Sequence, residues 1–242
     1  MNILDYVRIE TSTVEDGNMS YTYGDDDEVL SNKLKFWEKS NFKYKNTYQL
    51  KTNIKEFDRV EIINDIPKDL TVIDNTDSLI TSNPNIVLAL LTADCLQIIA
   101  YDRVNKVLAL IHSGFKWQDA GIIDKTLNVM HEKFETNVEN IFVYLGDCIS
   151  KDFYRWDEGI FNNTNENSWI RKTLVKDNHP THPYLIDLRK SAILNLRDLG
   201  IKEENILDTK TDCYSNDKYF SHVRSLNQKE KDGRHITLVQ MK

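Results

Sequence analysis

I-V-L-A-L-L-T-A-D-C-L-Q-I-I-A-Y-D-R-V-N-K-V-L-A-L-I-H-S-G-F-K-W-Q-D-A-G, residues 86–121, holds the longest apolar runs in the chain. Ile86–Leu91 is apolar and then meets Thr92, Ala93, Asp94 and Cys95. Leu96–Tyr101 follows, then a polar turn at Asp102–Asn105, and Val107–Ile111 returns to His112-Ser113-Gly114. Short aliphatic runs bounded by turn residues read as buried strands. A thiol and an imidazole at strand ends are well placed for chemistry, because strands are rigid and the loops beyond them open a site. If the hairpin turns about Arg103-Val104, Cys95 and His112 become direct cross-strand partners, with Cα atoms roughly 4.5–5.5 Å apart. One bulge would break that register. The plainer alternative is a buried structural cysteine and an ordinary strand-end histidine.

Outward from this stretch, regular elements are legible on both sides. Gly24-Asp25-Asp26-Asp27-Glu28 opens a helix whose Leu30, Leu34 and Trp37 stand at helical spacing. Acidic residues suit the positive end of a helix, so a solvated helix start is favoured there over a metal site. Short strands are expected at Val60–Ile63, Leu70–Ile73, Leu79–Ile80, Asn140–Leu145, Tyr219–Arg224 and Ile236–Met241. Lys116–Phe134 carries an apolar helical stripe of Ala120, Ile123, Leu127, Met130 and Phe134. Its start, just after Gly114, would aim free N–H groups at the hairpin mouth and suit an anion. Leu188–Leu199 is a second amphipathic helix, stopped by Gly200. His179-Pro180-Thr181-His182-Pro183 reads as a rigid surface loop, with metal binding as its alternative.

The 242 residues are 40% hydrophobic and 29% charged, which fits a folded chain with a substantial core. There is no internal repeat and no linker rich in Pro, Gly or Ser, so residues 1–242 are expected to form a single domain. Strands and helices mix without strict alternation, which favours an α+β or layered mixed-sheet architecture. A net charge of −7 argues against nucleic-acid or anionic-membrane partners. No apolar run approaches the roughly 20 residues that span a bilayer. The N-terminus lacks a signal-peptide pattern, and three widely spaced cysteines suit a reducing cytoplasm.

T-A-D-C at 92–95, the return strand, and H-S-G-F-K-W with Ala120-Gly121 together resemble the laccase-domain family. Its members are labelled multicopper polyphenol oxidases and assigned as purine nucleoside phosphorylases. Further matches follow in order: Gly24-Asp25-Asp26 with Val29 and Asn32, then Asp77–Thr81, then Gly146 with Ile149 and Tyr154. Asp187-Leu188 with Leu196 and Gly200 comes next, then Phe220-Ser221-His222 with Arg224, and finally Gly233-Arg234. The resemblance covers almost the whole chain. It implies a four-layer α/β/β/α sandwich with a zinc ion held by one Cys and two His. Cys95 and His112 match two of those ligands. The stretch matching the first His, Leu50–Val60, contains no His, and either Asn53 or Glu56 takes its place. Glu56 would complete the zinc set as a carboxylate, whereas Asn53 is a poor ligand.

The implied activity is phosphorolysis of an adenosine- or inosine-type nucleoside. Its partners are the nucleoside and phosphate, and the chain acts as a monomer or homodimer. Adenosine deaminase activity is a lower-ranked side reaction, because it leans on zinc-activated water. Phosphate wants Arg, Lys and N–H donors, and Lys116, Arg224 and Arg234 are the candidates. Asp77 or Asp94 could orient ribose or base, though Asp94 also reads as a turn residue. His222 contacts substrate or supports a strand face. Phe115 and Trp117 stack a purine or pack the core. Without metal, Cys95 and His112 could serve as a thiolate–imidazolium pair or as acid and base. The alternative is a degenerate member that binds a nucleoside or a protein without turnover. Copper-dependent phenol oxidation ranks last, since the His-rich copper motifs are missing.

Overall fold

The computed structural model describes residues 1–53 and 55–242, and the quoted stretch supplies strands to two different sheets. In chain order the first elements are β1 (Val7–Thr11), α1 (Asp26–Lys39), β2 (Thr47–Lys51), β3 (Val60–Ile62) and β4 (Thr71–Asp74). They are followed by β5 (Ser78–Thr81), β6 (Val87–Thr92), β7 (Leu96–Asp102) and β8 (Val107–Ser113). Next come α2 (Phe115–Asp119), α3 (Ile122–Phe134), β9 (Ile141–Leu145), β10 (Arg155–Trp156), α4 (Gly159–Asn163) and α5 (Trp169–Thr173). The remainder is β11 (Val175–Lys176), β12 (Tyr184–Leu185), α6 (Leu188–Asp198), β13 (Ile206–Asp208), α7 (His222–Gln228) and β14 (His235–Met241).

Among the described residues, one sheet runs β1-β14-β6-β2-β4 and the other runs β13-β9-β7-β8-β5-β3. Both are mixed: β2 is parallel to β4 and β6, β3 to β5, and β13 to β9, while the other pairings are antiparallel. A small sheet, β10-β12-β11, stands apart.

Period-two alternation sorts the strands into layers. In β6, Leu88 and Leu90 point between the two large sheets, where they meet Ile99 and Tyr101 of β7 and Leu108 and Leu110 of β8. The alternate residues Val87 and Ala89 pack with Phe36 and Trp37 of α1. On the far side of the second sheet, Ile98, Ala100, Ala109 and Ile111 pack with Ile123, Leu127 and Met130 of α3 and Ala192 and Leu196 of α6. This is the α/β/β/α sandwich. Strands covered on both faces read as unbroken apolar runs, which is why the 86–111 stretch shows so little alternation. Full burial of each such aliphatic side chain contributes about 1.5–3 kcal/mol.

Three expectations are corrected. The helix at 26–39 starts as read, with the Asp25 carboxylate accepting from the Asp27 and Glu28 backbone N–H groups. Its inward face, however, is Val29, Lys33, Phe36 and Trp37, and Leu30 and Leu34 are exposed. The inward turn accepts a lysine because the Lys33 ammonium finds the Gln49 side-chain oxygen at 2.9 Å. The expected 116–134 helix is two helices, parted at Gly121 by a left-handed backbone of φ 81°. The short α2 spans only five residues, so it offers no extended dipole to an anion. Residues 219–224 do not form a strand. The Ser221 side chain accepts from the Arg224 N–H and caps α7.

Candidate functional site

Cys95 sits where the chain crosses from the first sheet to the second. β6 ends at Thr92, Asp94 takes a left-handed φ of 81°, and β7 begins at Leu96. That conformation is uncommon outside Gly, Asn and Asp. Three protein groups hold the Asp94 side chain and backbone in place. Its carboxylate accepts from the Val223 N–H (2.8 Å) and the Cys213 thiol (3.3 Å), and its carbonyl accepts from the Ile149 N–H (2.9 Å). Asp94 thus ties the crossover to the 148–150 segment and to α7, and both carboxylate oxygens are spent on the protein.

The expected pairing of Cys95 with His112 is off by one position on each strand. His112 stands opposite Gln97, and Leu96 stands opposite Ser113. Cys95 instead lies against Gly114: a side-chain carbon there would fall 2.9 Å from the Cys95 sulfur and 2.8 Å from the Trp117 ring. His112 is buried, its ring meets Trp117 edge-on at 4.2 Å, and its Nδ1 has no hydrogen-bond partner among the described residues. Burial pushes His112 down to about 3. Burial, reinforced by the Asp94 charge and partly offset by Arg234, pushes the Cys95 thiol up to about 12. Burial thus disfavours the charged form of both groups, which favours a thiol and a neutral imidazole over a thiolate–imidazolium pair.

Behind them, Trp117 donates to Asp77 at 2.6 Å, and the other Asp77 oxygen accepts from the Arg59 N–H at 3.0 Å. Burial raises the Asp77 carboxyl, and the hydrogen bonds from Trp117 and Arg59 oppose that rise. The Asp77 carbonyl also accepts from the His112 N–H. Asp77 therefore braces Trp117 and the end of β8.

On the other side of Cys95, the Arg234 guanidinium donates to Asp232 (2.8 Å), the Gly233 carbonyl (2.6 Å) and the Tyr23 hydroxyl (2.6 Å), and lies 4.0 Å above the Tyr23 ring. Asp232 also contacts His222 Nδ1 at 2.7 Å. Burial would raise the Asp232 carboxyl, but His222 and Arg234 together hold it below the usual range. Phe153, Tyr154, Trp156, His179, His182, His222 and Val223 line a cleft of about 620 Å³ next to this cluster. Tyr154 is partly buried, and burial, reinforced by its nearness to Cys95 and Asp94, raises its phenol well above the usual value. Cys95 is half-buried at the back of this region and does not itself line the cleft.

The remaining candidates disperse. Arg224 is buried, and its guanidinium donates to the carbonyls of Cys213, Tyr214 and Tyr219, which makes it a clamp on the preceding loop. Lys116 and Phe115 line a separate cavity of about 570 Å³ with Phe57 and Trp156. Glu56 is exposed, and its charge acts on Asp77. Asn53 is half-buried, and its side chain accepts from the Lys55 N–H. Among the described residues no three His, Cys, Asp or Glu side chains converge to hold a metal ion. Cys95, His112 and Glu56 therefore do not fit a three-ligand zinc site. The 179–183 segment is an exposed loop in which His179 Nδ1 accepts from the His182 N–H.

The sequence reading missed Asp232, Tyr23 and a buried polar cluster under the hairpin. In that cluster His235 Nε2 lies 2.7 Å from Asp147 and 2.9 Å from Thr92, whose hydroxyl also takes the Gln97 amide. The one legible signal was Gln97 itself, a lone amide inside the run L-Q-I-I-A.

Residues 8–242 match the family described as multi-copper polyphenol oxidoreductase laccase. The chain belongs to this family. Proteins similar in sequence carry a different name. A Mycobacterium tuberculosis protein named purine nucleoside phosphorylase is 30% identical over 185 residues, covering 76% of this chain and 68% of its own. A Clostridium acetobutylicum protein of the same name is 29% identical over 150 residues, covering 61% of each chain. A mouse protein so named is 30% identical over 154 residues, and the match spans 61% of this chain but only 35% of the mouse protein. The solved structures of YfiH from Bacillus licheniformis and YlmD from Geobacillus stearothermophilus share the fold. Their TM-scores are 0.83 and 0.79, at 20% and 21% identity. The first match covers 98% of this chain and 93% of YfiH, the second 93% and 84% of YlmD. No helix among the described residues is long and apolar enough to cross a membrane.

Proposed function

We propose that this chain is a cytoplasmic purine nucleoside phosphorylase whose nucleoside enters the aromatic cleft beside Cys95. The observation that carries the reading is the Arg234–Asp232–His222 chain of contacts at the edge of that cleft, next to Cys95. The names of the relatives support it. In the reaction a phosphate oxygen bonds to ribose C1′ as the glycosidic C–N bond breaks. The bond's electron pair leaves with the purine, which takes up a proton.

Arg234 uses three N–H donors within the protein, and a guanidinium has five. The remaining donors, on a group fixed by Asp232 and Tyr23, hold the phosphate without reorganising. Asp232 engages His222 Nδ1, which leaves Nε2 to pass a proton to the departing base. Tyr154 and Trp156 offer apolar faces to the purine. Neither Cys95 nor His112 lines the cleft, so neither takes a step in the reaction. No step runs through a metal. Deamination, which needs a metal-activated water, is correspondingly disfavoured.

The test is incubation of the protein with inosine or adenosine, with and without phosphate, followed by assay for free base and ribose 1-phosphate. Phosphate-dependent release, reduced about 10²-fold or more in Arg234→Ala and His222→Ala, is expected. Nucleoside binding with no product in either condition would move the chain to the non-catalytic binder, the reading that the unassembled ligand set favours.

A further inference from the structure

We propose that a cavity on the α1 side of the first sheet is a reactive-amine site, in which Lys33 captures a small aldehyde or ketone as an imine. The cavity holds about 360 Å³ and is lined by Lys33, Gln49, Ser20, Tyr21, Thr22 and Leu91, among others. It lies away from the aromatic cleft and does not depend on the phosphorolysis reading.

Lys33 is 1% exposed, yet it helps line this cavity. A lysine so deeply buried ordinarily has a carboxylate beside it. Lys33 has none within ion-pair distance among the described residues. Its hydrogen-bond acceptor is the neutral, buried Gln49 oxygen at 2.9 Å, and its Nζ sits 4.7 Å from the Tyr21 ring centre. The Asp74 carboxylate on the cavity wall is engaged instead by Lys51 at 2.9 Å. An amine placed in this way is poorly solvated as a cation, and burial lowers Lys33 to about 8. A substantial fraction is then the free amine near neutral pH.

The chemistry is self-contained. The amine lone pair adds to the carbonyl carbon, and proton transfer gives a carbinolamine. Loss of water leaves the imine, and hydrolysis returns both partners. The hydroxyls of Ser20 and Thr22 line the same space and can accompany the departing water. Leucine and valine walls suit a short alkyl chain on the carbonyl.

The experiment uses propanal with cyanoborohydride on the folded full chain at pH 7.5, with peptide mass mapping over time. Lys35, exposed on the same helix, is the internal standard. An ordinary lysine is only about 0.1% neutral at that pH. Lys33 is therefore expected to be alkylated at least about tenfold faster than Lys35, after allowance for its restricted access. In urea-unfolded protein the two rates should converge, which ties the difference to the fold. Labelling of Lys33 no faster than Lys35 in the folded chain would overturn the proposal. So would a rate ratio that persists after unfolding.

Discussion

Gln97, not Cys95, faces His112 across the β7–β8 ladder, and Cys95 rests against Gly114. The close approach explains the glycine, whose φ of −75° is open to any residue. Gly114→Ala would drive a methyl carbon into the Cys95 sulfur and the Trp117 ring. We expect a stability loss of about 1–3 kcal/mol and a larger fall in base release. Thermal melts and the nucleoside assay check this. A variant with wild-type melting and turnover would show that the crossover tolerates displacement.

The elevated Cys95 thiol makes a chemical prediction. With its titration pushed up to about 12, Cys95 stays protonated at pH 7.5 although it is half-buried rather than sealed. Iodoacetamide should modify it at least tenfold more slowly than an unperturbed thiol near 8.5. Mass spectrometry of the alkylated peptide gives the rate. Rapid labelling at neutral pH would mean that Arg234 outweighs burial and Asp94.

His112 ties stability to pH. Its folded value, about 3, lies below the unfolded value near 6.5, so the unfolded chain binds the extra proton between them. Its contribution is therefore complete above about pH 6.5 and is lost as the pH falls towards 3. The slope is about 1.4 kcal/mol per pH unit within that window. His112→Gln should remove this slope. Urea unfolding at pH 7, 6 and 5 compares the two, and equal slopes would refute the assignment.

Asp147 and His235 form a buried pair behind the hairpin. Burial by itself would raise the Asp147 carboxyl; the charge of His235, with hydrogen bonding from His235 and Gln97, wins and holds it low. A depressed carboxyl stabilises the fold at neutral pH and loses that effect as the pH falls through its folded value. Asp147→Asn should cost about 3–5 kcal/mol, because His235 is left buried without its partner. Replacing both residues should cost less than the two single changes added together. Additive losses in urea unfolding would show that the pair is not coupled.

Much of the sandwich was legible from apolar runs and caps. Residues 87–92, 96–102 and 107–113 are strands because they are continuous, aliphatic and bounded by turn residues. The α1 start was legible from its acidic cap, but its buried face was not. Lys33 counts as polar in any pattern, and only the distant Gln49 makes its burial tolerable. Leu30 and Leu34 were misassigned for the same reason.

Of the candidate site, order along the chain pointed to Cys95, His112, His222 and Arg234, because their neighbours form local motifs. Which of them meet was decided by tertiary structure. A one-position shift on each strand separates Cys95 from His112 as direct partners, and nothing in the local sequence distinguishes the two registers. Asp94 and Arg224 carry charges that suit a substrate equally well on paper, yet the fold consumes both as clamps. Residue type and spacing thus determined the strands, the helices and the stock of reactive groups. Long-range packing determined which groups keep a free valence for a ligand, since a hydrogen bond spent within the protein depends on neighbours far away in the chain.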